Sequence, residues 1–191
     1  MPNFVRIAGF AAVVSFSVFM VGCAGPAPNY SPAIDNVEVL KKSGGQSVKT
    51  GTVTVKEGLP GGAALQIRAN TMVSPVGANF GDYIASALRQ ELDLAKMFNA
   101  QSGLEISGVL LRNNIDAGGF STNAGQIEVR FVVKRGEQVR FNKVKSIEYK
   151  WESSFVGAIA IPLAMNNYPV MVQKLIGSLA SDPDFVQSIR N

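Results

Sequence analysis

Hydrophobic and polar positions change period several times along this chain. Ile7 to Val21, IAGFAAVVSFSVFMV, is apolar almost throughout and has no amphipathic period. Residues 24–36, AGPAPNYSPAIDN, hold three prolines and no apolar repeat, which predicts an extended, flexible tether. Val37–Lys42 reads as a short strand before the turn Ser43-Gly44-Gly45. From Ser47 to Lys56, Val48, Thr50, Thr52 and Thr54 alternate with Lys49, Gly51, Val53 and Val55, a β-branched strand pattern. Gly58-Leu59-Pro60-Gly61-Gly62 breaks it, and Ala64–Met72 reads as a second strand.

The clearest helix runs from Phe80 to Phe98. Phe80, Ile84, Ala87, Leu88, Leu92, Ala95 and Phe98 recur at helical spacing, with Asn79 as N-cap and Asp82 at the positive end of the dipole. Asn99 and Gly103 are expected to end it. Leu104–Asn114 is a third strand, weakly alternating and so expected to be covered on both faces, with Gly108 a candidate bulge. Asp116–Gly125 reads as a long polar loop. Ile127, Val129, Phe131 and Val133 then share one strand face, and Lys134–Glu137 turns the chain back through Val139, Phe141, Ile147, Tyr149 and Trp151. Lys143 and Lys145 interrupt that face, which predicts either a strand twisting past the core edge or two strands meeting at a kink.

Phe155–Leu163 is expected to pack internally before a helix, the alternative being an exposed apolar groove lip. Asn166-Asn167-Tyr168-Pro169 reads as a helix start, followed by the stripe Tyr168, Val172, Leu175, Ile176 and Leu179. Asp182-Pro183-Asp184 caps a last turn, Phe185–Ile189. The order of elements predicts one α+β domain over residues 37–191, a mainly antiparallel sheet with two principal helices on one face.

The apolar run near the start is about 15 residues, short of the ~20 needed to span a bilayer. Arg6 precedes it and Met20-Val21-Gly22-Cys23 follows it, an arrangement that resembles a lipobox, although Met stands where Leu is commoner. The expectation is a cleaved signal peptide over residues 1–22 and lipid on Cys23, which opens the tether 23–36. Several acyl chains would anchor stably, at ~0.8 kcal/mol per buried CH₂. Ala24 stands where Asp would resemble an inner-membrane retention signal. In a Gram-negative host, that favours the periplasmic face of the outer membrane.

Charged residues make up 17% of the chain, below the ~25% usual for soluble domains. The net charge of +4 is diffuse and gives no nucleic-acid footprint. One cysteine excludes an internal disulfide, and the absence of histidine removes the commonest general base and metal ligand. Histidine-based triads and zinc-hydrolase sites therefore lack their parts, and no metal or cofactor is expected. Glu91 and Asp93 lie two apart on a helix and do not face each other, and Lys174/Ser178 is a spacing common by chance. The surviving candidate surface is the basic hairpin: Lys134, Arg135, Arg140, Phe141, Lys143 and Lys145. A solvated edge that resists strand pairing explains the same charges.

The stretch from Trp151-Glu152-Ser153-Ser154-Phe155 through Asn167-Tyr168-Pro169 to Asp182-Pro183-Asp184-Phe185 resembles a group of uncharacterised proteobacterial outer-membrane lipoproteins. The layout is similar to that of the YajG-type lipoproteins: lipobox, central helix, β-hairpin pair and an acid-capped closing turn. The resemblance implies an envelope location and supplies no catalytic residue. The expected role is a non-catalytic accessory or binding module for a periplasmic or outer-membrane protein, held to the membrane by its lipid. The alternative is a lipid- or glycan-binding module assisting lipopolysaccharide or peptidoglycan assembly.

Overall fold

A computed structural model describes residues 24–190. The expected signal peptide, residues 1–22, and the expected lipidation site Cys23 lie outside the described residues.

Four strands form the main sheet in the order β2-β5-β6-β7: Lys49–Val55, Leu104–Asp116, Thr122–Arg135 and Gln138–Glu152. The last three form an antiparallel meander, and β2 lies parallel to β5. A smaller sheet orders Ala24–Pro26 (β1), Asn70–Val73 (β4) and Ala64–Ile67 (β3), with β1 parallel to β4. Helix α2, Phe80–Leu94, packs on β2 and β5, and helix α3, Gly157–Ala180, packs on β6 and β7. Ile34–Lys42 (α1) lies against both helices, and Pro183–Ser188 (α4) meets the edge strand β7. The α+β class, the antiparallel sheet and the two principal helices on one face are as the sequence predicts.

The core follows from the strand period. Leu104, Ile106 and Leu110 of β5 and Ile127, Val129, Phe131 and Val133 of β6 are buried on the helix-facing side. Strand β5 is thus covered on one face rather than two. Against β6 its register slips between Leu110 and Arg112, beyond which the buried parity moves to Asn113 and Ile115; against β2 the slip falls between Thr50 and Val53, opposite Ile106 and Gly108, with the extra residue on β2 rather than at Gly108. Asn79 caps α2 by accepting the Asp82 backbone N–H at 3.1 Å. The helix ends early, at Leu94, because Lys96 turns into the left-handed region at φ +61°.

Several sequence expectations are corrected. Residues 24–36 are not a free tether. Strand β1 pairs with β4, Ala27 donates its N–H to the Val73 carbonyl at 2.8 Å, and Ala27 and Tyr30 are buried. The prolines and scarce apolar residues hid this, because a single parallel strand needs backbone groups rather than a side-chain period. Val37–Lys42 is helical, with Val37 and Leu40 at i and i+3 facing inward. Ala64–Met72 is a hairpin, reversed at Arg68 with φ +54°. The loop expected over Asp116–Gly125 shrinks to residues 117–121, since β6 begins at Thr122. Strand β7 runs without a kink through Lys143 and Lys145.

The largest correction concerns α3, which begins at Gly157 and passes through Pro162 and Pro169. Asn166 and Asn167 therefore lie mid-helix, not at a cap. Pro169 can give no N–H to the Met165 carbonyl. The helix persists because tertiary packing holds it, with Tyr168, Met171, Val172, Leu175, Ile176 and Leu179 all buried.

Candidate functional site

The basic hairpin resolves into residues with separate fates. Lys134 and Arg135 stand at the end of β6, where Arg135 donates to the Gln46 side-chain oxygen at 2.7 Å. The register slips between Val133 and Lys134, so Arg140 is the extra residue on β7 and Phe141 pairs opposite Val133. Phe141 is buried and meets Phe185 of α4 edge-to-face, with ring centroids 5.8 Å apart. It is a core contact of the hairpin, not a surface one.

Lys143 and Lys145 share the parity of Phe141, and therefore face the helix side. Asp182 meets both, at 3.4 Å and 3.1 Å, and Asp184 also pairs with Lys143. The two lysines thus interrupt the apolar face where the acidic N-terminus of α4 docks. Asp182 also caps α4, accepting the Asp184 N–H at 2.8 Å. Burial pushes its carboxyl up, but the Lys145 ammonium and the Asp184 N–H outweigh this and hold it below the usual carboxylate range. The Asp184 hydrogen bond, foremost, raises the Lys143 ammonium.

Arg140 and Lys143 line an open surface groove between β7 and α4, together with Asp184 and Gln187, of about 420 Å³, with the buried Phe141 at its floor. The groove is polar and its charges of both signs are partly paired. Such a lining does not suit an apolar ligand.

A second cluster escaped the sequence reading. Glu91 of α2 is fully buried. One carboxylate oxygen accepts from the Tyr30 hydroxyl, from the Ala33 N–H at 3.2 Å and from the Asn36 amide at 3.1 Å. Burial raises the Glu91 carboxyl, and these three donors lower it by less. Burial also raises the Tyr30 hydroxyl, foremost, with the Glu91 charge adding to it. All three donors belong to the segment 30–36, so Glu91 is the buried clasp that fixes the segment to α2. A lone Glu on an otherwise polar helix position gave no sign of this. Ser178 donates to the Leu175 carbonyl at 2.7 Å, and Lys174 lies over the Tyr149 ring at 4.8 Å, so each is engaged apart from the other.

The third feature is apolar and exposed. Phe155 and Phe120 stack at 5.3 Å, with 72% and 73% of their surfaces open. Val156, Ile159 and Leu163 continue the exposed face along the first turns of α3. Phe155–Leu163 is therefore largely on the surface, contrary to the internal packing expected. Arg68 fixes the rim. Its guanidinium donates to the carbonyls of Ala117 (2.7 Å), Ser154 (2.8 Å), Phe155 (2.9 Å) and Gly119 (3.3 Å). One five-donor side chain thus ties the β3–β4 turn to both loops that carry the aromatic rings.

These features define a two-sheet α+β domain with a polar groove at one end of β7 and an apolar face at the other. Among solved structures, protein XCC0632 from Xanthomonas campestris, of the family DUF330, shares this fold at a TM-score of 0.54 and 12% identity, over 83% of this chain and 95% of that one. A candidate lipoprotein from Caulobacter crescentus matches more loosely, at 0.44 and 12% identity over 80% and 93% of the two chains. Protein CT253 from Chlamydia trachomatis matches at 0.42 and 8% identity, over 69% and 91%. No protein-family model matches the sequence, and no curated protein does.

Proposed function

We propose that this protein is a lipid-anchored cell-envelope protein whose domain serves, without catalysis, as an accessory or binding module for an envelope partner. The observation that carries the reading is the uncharged run Ile7–Val21 ending at Gly22-Cys23, the sole cysteine. Ala24 after the cysteine, and the likeness in layout to YajG-type lipoproteins, favour the periplasmic face of the outer membrane. The groove beside Arg140 and Lys143 is the surface offered to a protein partner.

The test is made in the native host. Replacing Cys23→Ala should abolish palmitate incorporation and release the chain from membranes; unchanged labelling would overturn the anchor. A photoreactive residue at Gln187, in the groove, should crosslink one specific envelope protein. Capture of lipid or glycan alone would instead support a module that assists lipopolysaccharide or peptidoglycan assembly.

A further inference from the structure

We propose that the exposed face formed by Phe120, Phe155, Val156, Ile159 and Leu163 rests on the lipid surface that holds the acyl anchor of Cys23. This deepens the lipoprotein reading and rests on it.

The argument begins with where the described chain starts. Ala24 pairs with Thr71, Gly25 with Met72 and Pro26 with Val73. Thr71 follows Asn70, which closes the hairpin turned at Arg68. The start of β1 therefore lies at the Arg68 end of the small sheet, the end that Arg68 binds to both aromatic loops. A Cβ placed on Gly25 would stand 3.6 Å from the Met165 methyl of α3, two residues past Leu163. Cys23 is one peptide unit before Ala24, about 3.8 Å between Cα atoms. With no spacer between strand and cysteine, an acylated Cys23 brings this end of the domain down to the bilayer.

The composition of that end fits lipid. From Ser153 to Gln173 the chain carries no charged side chain, so α3 enters the face without one. Phe and aliphatic side chains are those that enter the headgroup and acyl boundary from the apolar side of a surface-bound element. Arg68 adds a positive charge at the rim, satisfied by neutral carbonyls, and so complements anionic headgroups. Among the described residues no helix is long and apolar enough to cross a membrane. The face thus lies on the surface, not through it. Contiguous exposed apolar groups of this kind mark interaction sites.

The full chain can be tested with its own chemistry. Acylation blocks the only cysteine, so an introduced cysteine is the sole free thiol. Phe155→Cys, Ile159→Cys and, at the far end of β7, Val139→Cys each carry an environment-sensitive dye. All three positions are exposed, so none of the changes disturbs the core. The proteins are placed in vesicles of phosphatidylethanolamine and phosphatidylglycerol with brominated acyl chains, after intact mass has established acylation. The dyes at 155 and 159 should be quenched several-fold more than the dye at 139. Equal quenching at all three sites in an acylated chain overturns the docking face and leaves the anchor standing. A dye at 155 that is shielded in detergent, in step with dimer formation, also overturns it by assigning the face to a second copy. A bare Cys23 instead overturns the lipoprotein reading beneath the proposal.

Discussion

Two carboxylates do opposite things in this protein, and environment decides which. Glu91 is buried with three donors on one oxygen, while its other oxygen has no protein partner. Its folded carboxyl titrates above its ordinary value, so the folded state holds its proton to higher pH than the unfolded state does. Stability from this group is therefore full below the ordinary carboxylate range and is lost as pH rises through the raised value. In urea melts from acid to neutral pH, Glu91→Gln should lack this downward slope, whereas Glu91→Ala should cost about 1–3 kcal/mol by stranding Tyr30, Asn36 and the Ala33 N–H. Asp182 is depressed, so its contribution is present above the ordinary value, about 3.9, and is lost as pH falls through the folded one. Asp182→Ala should cost about 0.5–2 kcal/mol at neutral pH, as loss of an N-cap does, and should flatten the acid limb of the stability curve. A wild-type slope retained in either variant would contradict the assignment.

Elements were legible where one face is buried and the period is regular. Ile127, Val129, Phe131 and Val133 announce β6, and Phe80 through Leu92 announce α2, because their partners are a continuous core. The pattern failed where a distant partner decides. Strand β1 exists because β4 offers it backbone groups, and α3 crosses Pro162 and Pro169 because the sheet and α1 hold it. The Arg68 tie joins positions far apart in sequence and leaves no local trace. Arg68→Ala should release the loops 117–121 and 154–156, read as faster amide exchange there with little change in the β5–β6 core; uniform exchange would deny the tie. At the α2 start, a Cβ on Gly81 would stand 2.0 Å from the Val53 carbonyl oxygen. Gly81→Ala should therefore lower stability by roughly 1–3 kcal/mol in denaturant melts, although alanine favours helices by ~1 kcal/mol elsewhere.

On the scale of the whole molecule, the sequence anticipated a domain held off the membrane by a spacer, and the structure brings the domain to Ala24. That difference changes what the chain can do. With Cys23 acylated as proposed, a tethered domain would sample a wide volume, whereas one joined directly to its anchor would present a fixed end to the bilayer. The apolar face by Phe155 lies near the Ala24 end of β1, and the groove by Arg140 lies at the opposite end of β7. The groove residues are half-legible: the charges of the hairpin stand out in the sequence, but α4 decides which remain open, since Asp182 and Asp184 take up Lys143 and Lys145. A run such as FVGAIAIPL reads as core, because it carries no sign of which side a partner occupies. The most direct measurement is the intact mass of the protein extracted from its host's membranes. It should equal the chain from Cys23 onward plus its acyl groups. A mass that retains residues 1–22, or that leaves the Cys23 sulfur bare, would contradict the account.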